Sequence, residues 1–129
     1  MVAFSRALPQ QFSQPLPHMM AHLTPAPQPA TTLPADDIRR LADAVAAWHM
    51  RSPLGICLRR SLLRYYFLRE AGVEVNIVFG ARFKGPQEGG GIGGHAWLRL
   101  DGWPYYENPQ DYEGFVEMYV YPAQAEMRG

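Results

Sequence analysis

Residues 57–79 read CLRRSLLRYYFLREAGVEVNIVF, and the change of period inside this stretch decides the fold. From Cys57 to Ala71, Leu58, Leu62, Leu63, Tyr66 and Phe67 recur at helical spacing, with Arg59, Arg60 and Arg64 as the polar positions. Gly72 closes the helix. Val73, Val75, Ile77 and Phe79 then alternate with Glu74 and Asn76, the two-residue period of a strand. Working upstream, Asp36 and Asp37 suit a helix start, and Ile38, Leu41, Ala42, Val45 and Trp48 follow at helical spacing. That helix is expected to end at His49-Met50-Arg51, with Pro53 enforcing the stop. Working downstream, a glycine-rich loop from Gly85 to Gly91 leads to a strand from His95 to Leu100. Asp101-Gly102 is a hairpin turn, Trp103 to Glu107 the return strand, and Phe115 to Tyr121 a last strand before Pro122. Helices followed by antiparallel strands make an α+β fold, N-terminal helices packed on a small antiparallel sheet.

At 129 residues the chain has room for one domain with a modest core. Lysine and arginine total 12, as do aspartate and glutamate, so bulk charge argues for neither nucleic acid nor an anionic membrane as partner. Cys57 is the single cysteine, which excludes an internal disulfide framework and suits a reducing cytosol. No apolar run approaches the length of a membrane span, and Pro and Gln interrupt any signal-peptide layout, so a cytoplasmic protein is expected. Residues 1–34 hold Pro9, Pro15, Pro17, Pro25, Pro27, Pro29 and Pro34 with glutamines between them. They read as a flexible Pro/Gln-rich arm with a polyproline-type spacer at 25–29, and residues 35–129 as the folded domain. Phe4, Leu8, Phe12, Leu16, Met19, Met20 and Leu23 give the arm apolar groups with which to dock on the domain or on a partner.

Cys57 follows the helix-breaking Ser52-Pro53-Leu54-Gly55-Ile56 and stands in a first helical turn, where backbone N–H groups and the helix dipole favour thiolate. His95 enters a strand after Gly93-Gly94. A cysteine hydrolase needs such a thiolate, a histidine to hold and return its proton, and a third group to orient the histidine. A two-residue Asp101-Gly102 turn places His95 opposite Asn108, whereas a three-residue loop with Gly102 in a bulge places it opposite Glu107. Asp-Gly suits both turns, and either side chain accepts from an imidazole N–H. Taken singly, Cys57 is a small buried hydrophobe, Glu107 a solvated strand-end carboxylate, Arg59, Arg60 and Arg64 a solvated helix face, and Trp97 and Trp103 packing residues. Their conjunction is what points to an enzyme. No metal site is expected: His18 and His22 share an i,i+4 spacing but lack the acidic partner of a zinc motif. Gly89 to Gly94 is no phosphate loop, since no Lys-Ser/Thr follows and it enters a strand.

The run Cys57-Leu58-Arg59-Arg60-Ser61-Leu62, the helix close at Glu70-Ala71-Gly72-Val73, and Gly94-His95-Ala96-Trp97-Leu98-Arg99-Leu100-Asp101-Gly102 resemble the transglutaminase-like leader peptidases of lasso-peptide biosynthesis, the family of the microcin-processing protein's C-terminal domain. The match runs from about Ala42 to Tyr112. The resemblance implies a papain-like or transglutaminase-like cysteine protease fold and a Cys-His-Asp catalytic set, with Cys57 and His95 as its first two members. The family's aspartate position is occupied here by Glu107, with Asn108 as the second candidate. It further implies a precursor-peptide substrate cut between leader and core, a separate leader-binding protein, a ring-forming cyclase, and ATP dependence. No phosphate-binding motif for that ATP is visible in the sequence. Two other functions use the same scaffold: a transglutaminase-like acyltransferase, in which an amine resolves the thioester, and a non-catalytic scaffold of a peptide-modifying complex.

Overall fold

The computed structural model describes residues 1–27, 33–48 and 55–122. The helix stop expected at 49–53 and the end of the 25–29 spacer lie outside them. The chain divides at Val75/Asn76 into two compact units, one helical and one built on a sheet.

The helical unit contains α1 (Val2–Gln11), α2 (Leu16–His22), α3 (Ala35–Trp48) and α4 (Ile56–Glu70). α4 begins one residue before the expected start, with Gly55 in an extended conformation at its N-cap. It closes as the sequence indicates. Gly72 takes a φ of 91°, its N–H donates to the Arg69 carbonyl, and the Val73 N–H reaches back to Leu68. That is a Schellman close, which glycine adopts without a Cβ penalty.

The face of α4 is wider than its apolar spacing suggests. Arg59 and Arg64 are buried along with Leu62, Leu63, Tyr65 and Leu68, so they are not a solvated helix face. Arg59 donates from NH1 to the Ala46 carbonyl at 2.7 Å, satisfying a backbone acceptor near the end of α3. Arg64 grips Asp43 of α3 with two bonds, Nε to Oδ1 at 2.6 Å and NH2 to Oδ2 at 2.7 Å. Buried cations need such partners, and a planar guanidinium meets a carboxylate in this fork. α3 correspondingly turns Ile38, Ala42 and Ala46 inward, while Leu41 and Trp48 of its expected stripe are exposed.

The first 23 residues are not a loose arm. α1 and α2 are helices, and Leu8, Met19, Met20 and Leu23 are buried. Phe4 packs its ring against Tyr66 and Phe67, at centroid distances of 4.4 and 5.4 Å, over a cluster formed by Ala42, Ala46 and Leu63. Thr24 and Tyr65 share a hydroxyl hydrogen bond of 2.7 Å. Proline count misleads here because position matters more than number. Pro15 caps α2 and Pro17 stands in its first turn, where a missing N–H costs nothing. In α1 and α2 only Pro9 lies beyond a first turn, near the end of α1.

The sheet unit holds β1 (Asn76–Phe83), β2 (Ile92–Leu100), β3 (Trp103–Pro104) and β4 (Val116–Tyr121), ordered β3-β2-β1-β4 and antiparallel throughout. A 3₁₀ turn (Pro86–Glu88) lies in the β1–β2 loop, and α5 (Pro109–Tyr112) lies before β4. In the β1–β2 register Val78 faces Trp97, Gly80 faces His95 and Arg82 faces Gly93, so these six residues share one sheet face. β4 carries a bulge opposite Phe79/Gly80. Asn76 Nδ2 donates to the Pro122 carbonyl at 2.7 Å, tying the end of β4 to the start of β1. The return strand is shorter than expected, two residues instead of five, for a reason that bears on the site.

Candidate functional site

The β2–β3 turn sets the register but does not by itself decide which residue meets His95. Leu100 pairs with Trp103 and Arg99 with Pro104, so the turn has two residues, with Asp101 at φ 52° and Gly102 at φ 83°. Both central residues of a type I′ turn need positive φ, which Asp and Gly tolerate best. Pro104 falls at a non-hydrogen-bonded position on an edge strand, where its missing N–H removes no ladder bond. The Tyr105 N–H still reaches the Leu98 carbonyl at 2.9 Å. Counting on would bring Asn108 to His95.

Tyr106 breaks the count. Its φ of 48° is left-handed, so strand alternation ends there and the next side chain turns toward β2. The Oε1 of Glu107 lies 3.2 Å from His95 Nε2. Glu107's side chain is 1% exposed and that of His95 9%, so this carboxylate is no solvated strand-end group. Asn108 instead caps α5 with an extended backbone. A carboxylate only accepts hydrogen bonds, so His95 Nε2 carries the hydrogen of this contact and Nδ1 is the acceptor atom of the neutral ring.

Aromatic rings flank the imidazole. Trp97 stacks on it at 5.5 Å with 25° between planes, and Phe115 lies 5.3 Å away at 42°. Tyr112 of α5 stacks on Trp97 at 5.7 Å, and the Arg82 guanidinium lies 5.4 Å from the Phe115 ring centre. The sequence marks Trp97 as a packing residue, and nothing in the spacing singles out Phe115.

Cys57 belongs to the helical unit. It is the second residue of α4 and half-buried. The first intrahelical bond runs from the Arg59 N–H to the Gly55 carbonyl, so the Ile56, Cys57 and Leu58 N–H groups precede it at the positive end of the helix. The bonds of Arg59 and Arg64 to α3, two and seven residues beyond the thiol, anchor this helix.

A cleft of about 590 Å³ opens elsewhere on the sheet unit, among Ala81, Phe83, Ile92, Val116 and Met118. Ala81, Phe83 and Ile92 alternate with Gly80, Arg82 and His95, so these cleft walls belong to the sheet face away from the imidazole. The glycine-rich segment does not fit an ATP phosphate site: Gly89, Gly90 and Gly91 take left-handed turns and run into β2, with no helix N-terminus to receive a phosphate. Among the described residues no helix is long and apolar enough to cross a membrane.

Comparison with known proteins returns one family model, described as the transglutaminase-like superfamily, matched over residues 4–120. No curated protein and no solved structure matches the chain. The family match begins inside α1 and ends inside β4, taking in the helix of Cys57, the His95–Glu107 pair and the four-stranded sheet. The chain belongs to the transglutaminase-like superfamily, which includes cysteine peptidases and acyltransferases.

Proposed function

We propose that the protein is a cysteine peptidase that removes the leader from a ribosomally made precursor peptide in lasso-peptide (microcin-like) maturation, with Cys57, His95 and Glu107 as its catalytic set. The observation that carries this reading is the buried His95–Glu107 pair. A carboxylate enclosed with a histidine, and a cysteine in a first helical turn of the other unit, are the residue types that acyl transfer needs. Membership of the superfamily supports the chemistry. The motif resemblance over residues 57–62 and 94–102 supports the substrate class.

The Cys57 thiolate attacks the scissile carbonyl, and the Cys57 backbone N–H is positioned to donate to the oxyanion. His95 Nδ1 takes the thiol proton and returns it to the leaving amine as the C–N bond breaks. Water, deprotonated by the same nitrogen, then hydrolyses the thioester and restores the thiol. Glu107 holds the ring through Nε2 and stabilises the imidazolium formed in each half-reaction. The position six residues upstream, where papain-like enzymes carry an oxyanion glutamine, is Arg51 here and lies outside the described residues. A separate leader-binding protein presents the precursor, and a cyclase closes the ring.

Wild-type and Cys57→Ala protein, each mixed with a precursor peptide and its leader-binding partner, with and without ATP, test the reading by mass spectrometry. Leader release by wild type alone is expected. Equal release by both removes Cys57 from the mechanism. Capture of an added amine in place of water identifies an acyltransferase, and binding of the precursor without cleavage identifies a scaffold.

A further inference from the structure

Gly80 faces His95 across the β1–β2 ladder and is buried. A Cβ placed there would lie 2.9 Å from both Cη2 and Cζ3 of Trp97 and 3.1 Å from Cβ of Phe115. Real Cβ atoms do not approach ring carbons so closely, and Trp97, itself buried, has no room to retreat. Gly80 is therefore a seat: two aromatic side chains meet over its bare Cα. Those same two rings are the ones that flank His95. The β4 bulge beside Gly80 lies just after Phe115 in the chain and belongs to the same local arrangement.

We propose that Trp97 and Phe115, seated on Gly80, are positioning residues that clamp the His95 imidazole and favour its protonated form. The inference rests on the reading of His95 as the acid–base group and adds to it a source of orientation besides Glu107. Glu107 holds one ring nitrogen, while Trp97, stacked on the imidazole, and Phe115, tilted against it, restrict tilting of the ring plane; their negative faces attract an imidazolium within about 6 Å of a ring centre. An acyl-transfer histidine must become cationic twice per turnover, so a clamp that favours the cation serves both proton transfers. Charged groups around this part of the sheet unit include Arg82, paired with Glu88, Arg99, paired with Glu117, Lys84, whose side chain lies against Gly93, and Asp111 and Glu113 on either side of Tyr112.

The test is an NMR titration of His95 in protein with ¹³C,¹⁵N-labelled histidine, in a Cys57→Ala background so that no thiol titrates alongside. His95→Gln assigns the signal among the four histidines. Phe115→Leu keeps apolar bulk but removes the ring face, and it should lower the His95 midpoint by about 0.5. It should also mix the two ring tautomers in the ¹⁵N spectrum. Phe115→Tyr should restore both properties. Gly80→Ala keeps every ring but wedges them from their seat, and should act like Phe115→Leu. A His95 midpoint and tautomer unchanged in both Phe115→Leu and Gly80→Ala overturn the clamp. The titration needs neither substrate nor thiol, so a failed cleavage assay beside an intact clamp refutes only the peptidase reading.

Discussion

Asp43→Ala should be among the most damaging single substitutions on α3, and the structure gives its size. Arg64 sits with its side chain 5% exposed and donates two short bonds to the Asp43 carboxylate. Removing one partner of a fully buried ion pair costs about 3–5 kcal/mol, because the other charge is left stranded. Asp43 is 27% exposed, so water reaching its place will solvate part of the guanidinium. A loss of about 2–3 kcal/mol is the resulting expectation. For a chain of this length that lowers the thermal midpoint by roughly 6–15 °C. Urea unfolding followed by far-UV circular dichroism measures it directly. A double-mutant cycle with Arg64→Met supplies the control, since removing both charges should destabilise less than removing Asp43 alone. Asp43→Ala within about 0.5 kcal/mol of wild type would show the pair to be worth no more than a surface bridge, and the argument that it anchors the Cys57 helix would fall.

Glu107→Gln should keep the size of the orienting side chain but forfeit its charge, lowering leader cleavage by about 10²-fold or more, while Asn108→Ala stays near wild type; kcat with a precursor peptide decides, and the opposite order would exchange the two residues' roles. Met20→Ala, in the segment that reads as an arm, should cost about 2–5 kcal/mol as a core substitution does, and a neutral result in urea unfolding would return α2 to the status of an ornament. Glu88 is held below the usual carboxylate range, chiefly by the hydrogen bond from Arg82. Its folded pKa is depressed, so the bridge contributes above the ordinary glutamate pKa and is lost as pH falls through the depressed value. Carboxyl ¹³C titration should show Glu88 below a model glutamate and Arg82→Gln should bring it back; a wild-type Glu88 titrating at the model value would dissolve the bridge.

Local chemistry made much of this fold legible. The Gly72 stop, the alternation after it and the Asp101-Gly102 turn are each dictated by backbone preferences that depend on few neighbours. Two kinds of error came from longer range. Arg59 and Arg64 look like surface residues until a carbonyl and a carboxylate from α3 reach them, and no spacing within α4 foretells those partners. The first 23 residues look unstructured by their proline number, whereas proline position decides; Leu8, Met20 and Leu23 reveal themselves only by what they bury against. The site shows the same division. Glu107 and Asn108 were both in view, and register arithmetic with the turn that forms favours Asn108. One left-handed residue, Tyr106, reverses that outcome, and nothing about a tyrosine advertises positive φ. Phe115 carries no sequence signal, because its ring meets His95 through a loop, α5 and a bulged strand rather than through any periodic pattern.

Strand alternation also separates two properties that are often entangled in small proteins. Phe83, 84% exposed, and Ile92 form a cross-strand pair at the open end of β1 and β2, beside the exposed Val116 and Met118 of β4. This is where self-association would begin at high protein concentration. The imidazole and its rings project from the other side of the same strands. Replacing Phe83 or Ile92 by lysine therefore edits colloidal behaviour through side chains that point away from the chemistry, so a handling variant can be made without trespassing on the residues whose roles are to be measured.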